Sequence, residues 1–576
     1  MRFSPFNLAV LFIISILVSC GPKKPKIHQD FEVVMRIPSE PTGLNSIVNR
    51  DGMKGMILQY IMFQPLTIDP ISLQILPLVA NDQPLVETQD DGSVKVTLSI
   101  RPEAKWDNGS QITAKDVAFS LKLCVLNGIQ NAAIKSSFQN VANFIFYPED
   151  SLKYSIVFAK PYFLAPIIAG DMNLFPEYVY DSTHILAKYS VEDVLENGEA
   201  IANDSEVIAF AENFNSEIFQ RTIVQGCGPY IFKEWQEGKR IILEKKANWW
   251  GDDLSDVSVL FKAFPTRIIF EVIKDEATAI QALKQGKIDG MATIDFKTFA
   301  LTLKDDSLIN KNFNFYSPNM LAFEYFGINS RRPYLDNLEM RRAIAYAIPT
   351  EHIIDNLLYG LGNKINTYIS SVREVELNKM IPYNIFDIQK GNELLERNGW
   401  MDSDGDGKRE KIINGKKVVL NFTFLVNAGN ERREKTALLI KDQLAQIGVG
   451  MEIATLEMDA YINALMKGNF DFVLSGTLGS ALETDPFQLW HSASAGGNFT
   501  GFGNSYTDSL ISTFRNEMDP QKRIQISKTL QQEVYNYSSV IFINDMKERI
   551  VFSKKFKDLT VSEQRPGYWL GSVLPN

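Results

Sequence analysis

The stretch Asp402-Ser403-Asp404-Gly405-Asp406-Gly407 spaces carboxylates two residues apart between glycines, a pattern from which calcium loops draw oxygen ligands. An EF-hand requires a bidentate Glu at the twelfth position, and Ile413 stands there instead. Glu410 is the group that would complete a nonstandard site; a polar turn between Trp400 and a strand at Val418 is the simpler reading. The four histidines, His28, His184, His352 and His491, are widely separated and show no metal-ligand spacing. Nucleophilic or metal-assisted hydrolysis finds no His-Glu-x-x-His, no Gly-x-Ser-x-Gly and no phosphate-binding glycine loop, since Gly501-x-Gly503 lacks the third glycine. Abundant carboxylates do not by themselves define an acid and base pair. No cofactor or catalytic metal is therefore expected, and a surface-anchored hydrolase is the alternative that turnover of a peptide or glycoside would favour.

Cys20 offers sharper chemistry. Arg2 precedes an apolar run over residues 8–18, too short for a comfortable membrane span but suited to the core of a secretory signal. The run ends in Leu17-Val18-Ser19-Cys20, which resembles a bacterial lipobox, where small residues admit the signal peptidase and the thiol receives diacylglycerol. Residues 1–19 are thus expected to be a lipoprotein signal peptide and 20–29 a lipid anchor and tether; a short membrane anchor with a chance cysteine is the alternative. The segment Gly21-Pro22-Lys23-Lys24-Pro25-Lys26 suits an extended, solvated tether. Acyl chains contribute about 0.8 kcal/mol per buried methylene, enough for stable anchoring when several are attached. Later apolar stretches such as 154–170 are interrupted by Lys160, Pro161 and Pro166. Cys124 and Cys227 remain, and an extracytoplasmic compartment permits either a disulfide or two buried thiols.

These residues need a large framework. At 576 residues and 45% hydrophobic, the chain exceeds what one core supports, so at least two lobes are expected. A net charge of -10 with no clustered basic stripe argues against a nucleic-acid partner. Val94, Val96, Leu98 and Ile100 alternate with polar residues as in a half-buried strand; Thr113 and Asp116 then open a helix with capping-box spacing. Ile268, Phe270 and Val272 repeat the strand pattern before a helix capped by Asp275 and stopped near Gly286. Asn337 opens another helix, and Leu420, Phe422, Phe424 and Val426 a strand, followed by a helix that Gly448 ends. Such alternation predicts α/β lobes with largely parallel sheets.

Several segments fall in an order that resembles the family 5 extracellular solute-binding proteins, which include oligopeptide, dipeptide and nickel receptors of ABC importers. They are Ile100-Arg101-Pro102, Trp106-Asp107-Asn108-Gly109 and Thr113 to Val117; Gly226-Cys227-Gly228-Pro229-Tyr230 with Trp249-Trp250-Gly251; Leu283 to Asp289; Met340 to Ile348; Phe386-Asp387, Leu394-Leu395 and Gly399-Trp400; and Asp485-Pro486 with Asn498 to Phe502. Each motif has a turn or cap explanation, so they identify a fold rather than a reaction. The resemblance implies a two-lobed periplasmic-binding-protein fold of type II, in its large three-subdomain form, with a hinge and an interlobe cleft. Lobe I would comprise 30–58, 222–314 and 546–576, with 59–221 inserted, and lobe II 315–545. Hinges would lie near 315–326 and 541–545.

The function implied is capture of a peptide or other small solute by a monomeric, lipid-anchored receptor, which hands it to a permease and through it to ATPase subunits. A nickel or chelate receptor is the alternative within the family. In peptide-binding members a carboxylate just upstream of the Asp-Pro pair holds the ligand amine. Here Leu482 falls at that place, in a loop about two residues longer, with Glu483 as a shifted substitute. The ligand-binding candidates are Asn45, Glu324, Tyr325, Gly476, Thr477, Glu483 and Trp490, with core packing as the competing role for Trp490.

Overall fold

A computed structural model describes residues 30–48, 51–478, 482–494 and 496–576; Cys20 and the signal and anchor segments lie outside the described residues. Two mixed sheets organise it. The first has seven strands in the order Phe313–Tyr316, Ile550–Ser553, Gly290–Met291, Glu32–Ile37, Arg267–Val272, Arg240–Lys245 and Tyr230–Gln236. The second has six: Gly362–Asn363, Val540–Lys547, Asn319–Ile328, Phe472–Leu478, Asn421–Asn427 and Gly450–Leu456. In chain order, between Glu32–Ile37 and Tyr230–Gln236, comes a four-stranded antiparallel sheet, Leu85–Thr88, Val94–Ser99, Lys153–Phe158 and Val141–Phe146.

The expectation of largely parallel sheets is corrected by the register. Parallel pairing is confined to Glu32–Ile37 with its two neighbours and to Asn421–Asn427 with its two neighbours. All other neighbours in these two sheets run antiparallel. The cause is connectivity: Tyr230–Gln236 and Arg240–Lys245 form a hairpin, and the returning C-terminal strands enter each sheet against their neighbours.

Local chemistry sets the helices where the sequence places them. Asp116 accepts from Thr113 N at 2.8 Å and from Trp106 Nε1 at 2.9 Å, fixing the start of helix Ala114–Val125 and tying it to the preceding turn. Asp275 and Asn337 cap helices Glu276–Lys284 and Leu338–Tyr346 by accepting from Thr278 N and Met340 N. Gly226 and Gly228 are needed for close approach, because a Cβ would lie 2.5 Å and 2.8 Å from Ile61 O. Cys124 and Cys227 are both free and buried, which resolves the disulfide question, and burial pushes each thiol up to about 12.

Beneath the seven-stranded sheet and the four-stranded sheet runs one continuous apolar core, which joins Val33, Tyr60 and Phe270 to Val96, Leu121 and Phe175. A separate core under the six-stranded sheet gathers Phe326, Ile344, Phe424, Ile440 and Phe472. The chain changes sheet at Ser317–Pro318 and again at Glu548–Arg549. These passages are bonded side by side, with Glu548 N donating to Pro318 O at 2.9 Å and Ser317 Oγ to Glu548 O at 3.0 Å. The segments expected as hinges, 315–326 and 541–545, are mostly paired strands, and the change of sheet is confined to the two short passages.

Candidate functional site

A cavity of about 420 Å³ lies where three parts of the chain meet. Ser46 and Ile47 come from the loop after the first strand, Phe138, Ile168 and Met172 from the segment that carries the four-stranded sheet, and Leu482 from the loop after Phe472–Leu478. Gln64 and Ile68 line it and also line a neighbouring cavity of about 300 Å³, which reaches Met53, Ser562 and Glu548 at the second passage between the sheets. Leu482 additionally packs against the first core.

Beside the cavity the lobes are fastened by a polar and aromatic clamp. Tyr162 Oη donates to Asp485 Oδ2 at 2.8 Å, and Arg515 Nε donates to the same oxygen at 2.9 Å. Phe163 N donates to Arg515 O at 3.0 Å. The Arg515 guanidinium lies 5.1 Å from the Tyr162 ring and 4.7 Å from the Phe487 ring, while Arg523 sits over Phe163 at 5.3 Å. Burial and the Asp485 charge raise the Tyr162 hydroxyl above its ordinary range, so it stays a neutral donor. Tyr162, Arg515 and Asp485 were not singled out as a unit by sequence reasoning; nothing in their spacing, more than three hundred residues end to end, signals that they meet.

Other candidates have structural employment. Asn45, only 2% exposed, has both side-chain atoms committed to backbone: Nδ2 donates to Phe214 O and Oδ1 accepts from Ile47 N. Glu324, also 2% exposed, accepts from both terminal nitrogens of Arg432 and, at 3.1 Å, from Arg433 Nε. Burial pushes its carboxyl up, but the two guanidinium groups outweigh this and leave it below its ordinary value. Gly476 faces Glu324 across the sheet, and a Cβ there would lie 3.2 Å from Arg433 Nη2; the glycine makes room for the ion triad. Thr477 pairs with Phe323 on the adjoining strand. Tyr325 is buried with its hydroxyl bonded to Ser475 and raised to about 12 by burial.

Trp490 packs in the core role that competed with ligand stacking. It is 3% exposed among Tyr368, Phe502 and Phe542, and its Nε1 has no hydrogen-bond partner. His491 stands 3.6 Å from Asp508 and against the Phe487 ring. Glu483 accepts from Arg523 Nε, and burial still raises its carboxyl. Thus among the lining residues of the cavity is Leu482, the residue beside the candidate Glu483, while Glu483 itself is turned to Arg523 and Gly476 and Thr477 lie in the strand against Glu324 and Phe323. A sequence signal for the Glu324 triad did exist: Arg432 and Arg433 are adjacent cations in the first turn of helix Glu431–Ala445, where the dipole disfavours them unless an acid is near.

Carboxylates of Asp402, Asp404 and Glu410 do converge, their oxygens within 4.8 Å of one another. Glu410 accepts from Ser403 N at 3.0 Å and Asp404 pairs with Lys417, which are the bonds of a polar turn. The turn is far in sequence from the cavity-lining residues. Among the described residues no helix is long and apolar enough to cross a membrane.

Comparison with known proteins agrees with this geometry. The family model for bacterial extracellular solute-binding proteins, family 5 Middle, matches residues 74–499. The oligopeptide-binding protein AppA of Bacillus subtilis is 25% identical over 549 residues, covering 91% of this chain and 89% of its own. The structure of AppA from Bacillus subtilis with a nonapeptide superposes with a TM-score of 0.69 at 20% identity, covering 95% of this chain and 99% of that one. NikA from Brucella suis with Fe(III)-EDTA gives 0.74 at 16% identity, covering 95% and 100%. The family model covers well over half of the chain, and this chain belongs to the bacterial extracellular solute-binding proteins of family 5.

Proposed function

We propose that the chain is the receptor of an ABC importer, capturing a peptide or other small solute between its lobes and presenting the closed form to a permease and its ATPase subunits. The observation that carries this reading is the cavity of about 420 Å³ whose wall needs both lobes, Leu482 from one and Ser46 and Phe138 from the other. A solute there touches both lobes only when they are together, so binding shifts the population toward the closed form. The lobes would divide as 30–58, 222–314 and 546–576 with the insert 59–221, against 315–545. The protein would act as a monomer.

Lipidation of Cys20 would moor it outside the cytoplasm. Native mass spectrometry of freshly purified protein tests the receptor reading: a saturable, noncovalent small-molecule adduct without turnover supports it, and steady conversion of a peptide or glycoside would replace it with the hydrolase. A Cys20→Ser variant is expected to leave the membrane fraction, and continued membrane retention refutes the anchor. For a bare nickel ion the one convergent group of three acidic, histidine or cysteine residues among the described residues is the Asp402, Asp404 and Glu410 turn, outside the cavity lining, whereas a chelated metal needs few direct ligands.

A further inference from the structure

Resting on that receptor reading, we infer that the cleft selects an uncharged solute with an apolar body and a few hydrogen-bonding groups, and that Leu482 is a determinant of this choice. The argument is the charge inventory of the wall. Among the described residues no Lys, Arg or His lines the cavity of about 420 Å³, and the one carboxylate, Asp171, is exposed next to Gln64. Inside, the wall is Ile47, Phe138, Ile167, Ile168, Met172 and Leu482, together with the Cys124 thiol, which burial keeps neutral.

Several charges nearby are engaged elsewhere, and Arg565 lines the neighbouring cavity rather than this wall. Glu483, adjacent to Leu482, accepts from Arg523, and Asp485 receives both Tyr162 and Arg515. In the neighbouring cavity Glu548 is turned to the Thr293 and Arg549 amides. A ligand ammonium or carboxylate placed against the apolar part of this wall, away from the exposed Asp171, would leave water without a counter-charge among the described residues, and burying an unpaired ion is far more costly than burying a neutral polar group.

Hydrogen bonding is nevertheless available. Ser46 Oγ is buried on the cavity wall with no partner, which is a cost unless a ligand completes it. Gln64, Ser137 and Asn173 add neutral donors and acceptors. The volume sits toward the low end of the roughly 300–1,000 Å³ that accommodates small-molecule ligands, which favours a compact solute over a long chain.

The test uses full-length protein in detergent and one dipeptide in three charge states: zwitterionic Leu-Phe, N-acetyl-Leu-Phe and N-acetyl-Leu-Phe amide. Titration calorimetry is expected to give the neutral amide an affinity at least tenfold above the zwitterion, with little dependence on salt. Leu482→Asp should reverse that order, and Leu482→Met should preserve it, which separates a charge effect from a loss of folding. Equal or tighter binding of the zwitterion overturns the inference. So does failure of all three at millimolar concentration. In that last case the same protein is offered a charged peptide digest: saturable capture keeps the receptor reading alone, and no capture sinks both.

Discussion

Replacing Glu324 by Gln should cost the second lobe about 3–5 kcal/mol at pH 7, the usual loss when one member of a buried ion cluster is removed and the others remain. The structure supports the upper part of that range. The Glu324 side chain is 2% exposed, the Arg432 and Arg433 side chains 16% each, and one carboxylate serves both guanidinium groups. The isosteric amide keeps the shape but leaves two half-buried cations without their shared anion. Urea unfolding followed by circular dichroism measures the difference. Its pH dependence has a definite sign, because the Glu324 carboxyl lies below its ordinary value: the stabilisation is full above the unfolded Glu value of about 4.3 and is lost as pH falls through the lower folded value. Wild type and Glu324→Gln should therefore differ by a constant amount from pH 5 to 8 and converge on further acidification. A gap below about 1 kcal/mol at pH 7, well under the buried-pair range, refutes the reasoning, as does a gap that widens in acid.

Further outcomes follow from other contacts. Tyr162→Phe removes the donor to Asp485 while keeping the ring over Arg515, so ligand affinity should weaken by about 0.5–1.5 kcal/mol, roughly twofold to thirteenfold, in titration calorimetry with an identified ligand. Asp545 is fully buried, with Oδ1 unpartnered and its carboxyl raised by burial; wild-type stability should fall as pH rises from the unfolded Asp value through that higher folded value, and Asp545→Asn should flatten this slope in melting curves. Gly226→Ala should destabilise by about 1–3 kcal/mol, since its Cβ would press on Ile61 O and the Met62 backbone, and denaturation midpoints would show it. Cys124 and Cys227 should both alkylate in urea without reductant, and a mass two hydrogens lighter with no alkylation would contradict their free state.

Much of the framework was legible because its signals are local. The caps at Asp275 and Asn337 and the helix stop at Gly448, with φ of 71°, need only neighbouring residues to be recognised. Sheet direction was not, because alternation of strand and helix does not record where a returning strand such as Val540–Lys547 enters. The site candidates show the same division. Glu324 was a ligand candidate beside the expected hinge, and its ion partners, 108 and 109 residues away, are brought to it only by folding. Asn45 was the candidate in the loop after the first strand, where it bonds backbone, while its neighbours Ser46 and Ile47 line the cavity.

The two passages at Ser317–Pro318 and Glu548–Arg549 also bear on how such a molecule can be remade. Their mutual hydrogen bond means that everything from Asn319 to Lys547 begins and finishes at one spot on its host, like a balloon tied at the neck. Grafting a different outer half would then require joining chain ends at just two adjacent points, and recombination there could exchange one cleft wall while the other, with its C-terminal closing strands, stays as it is.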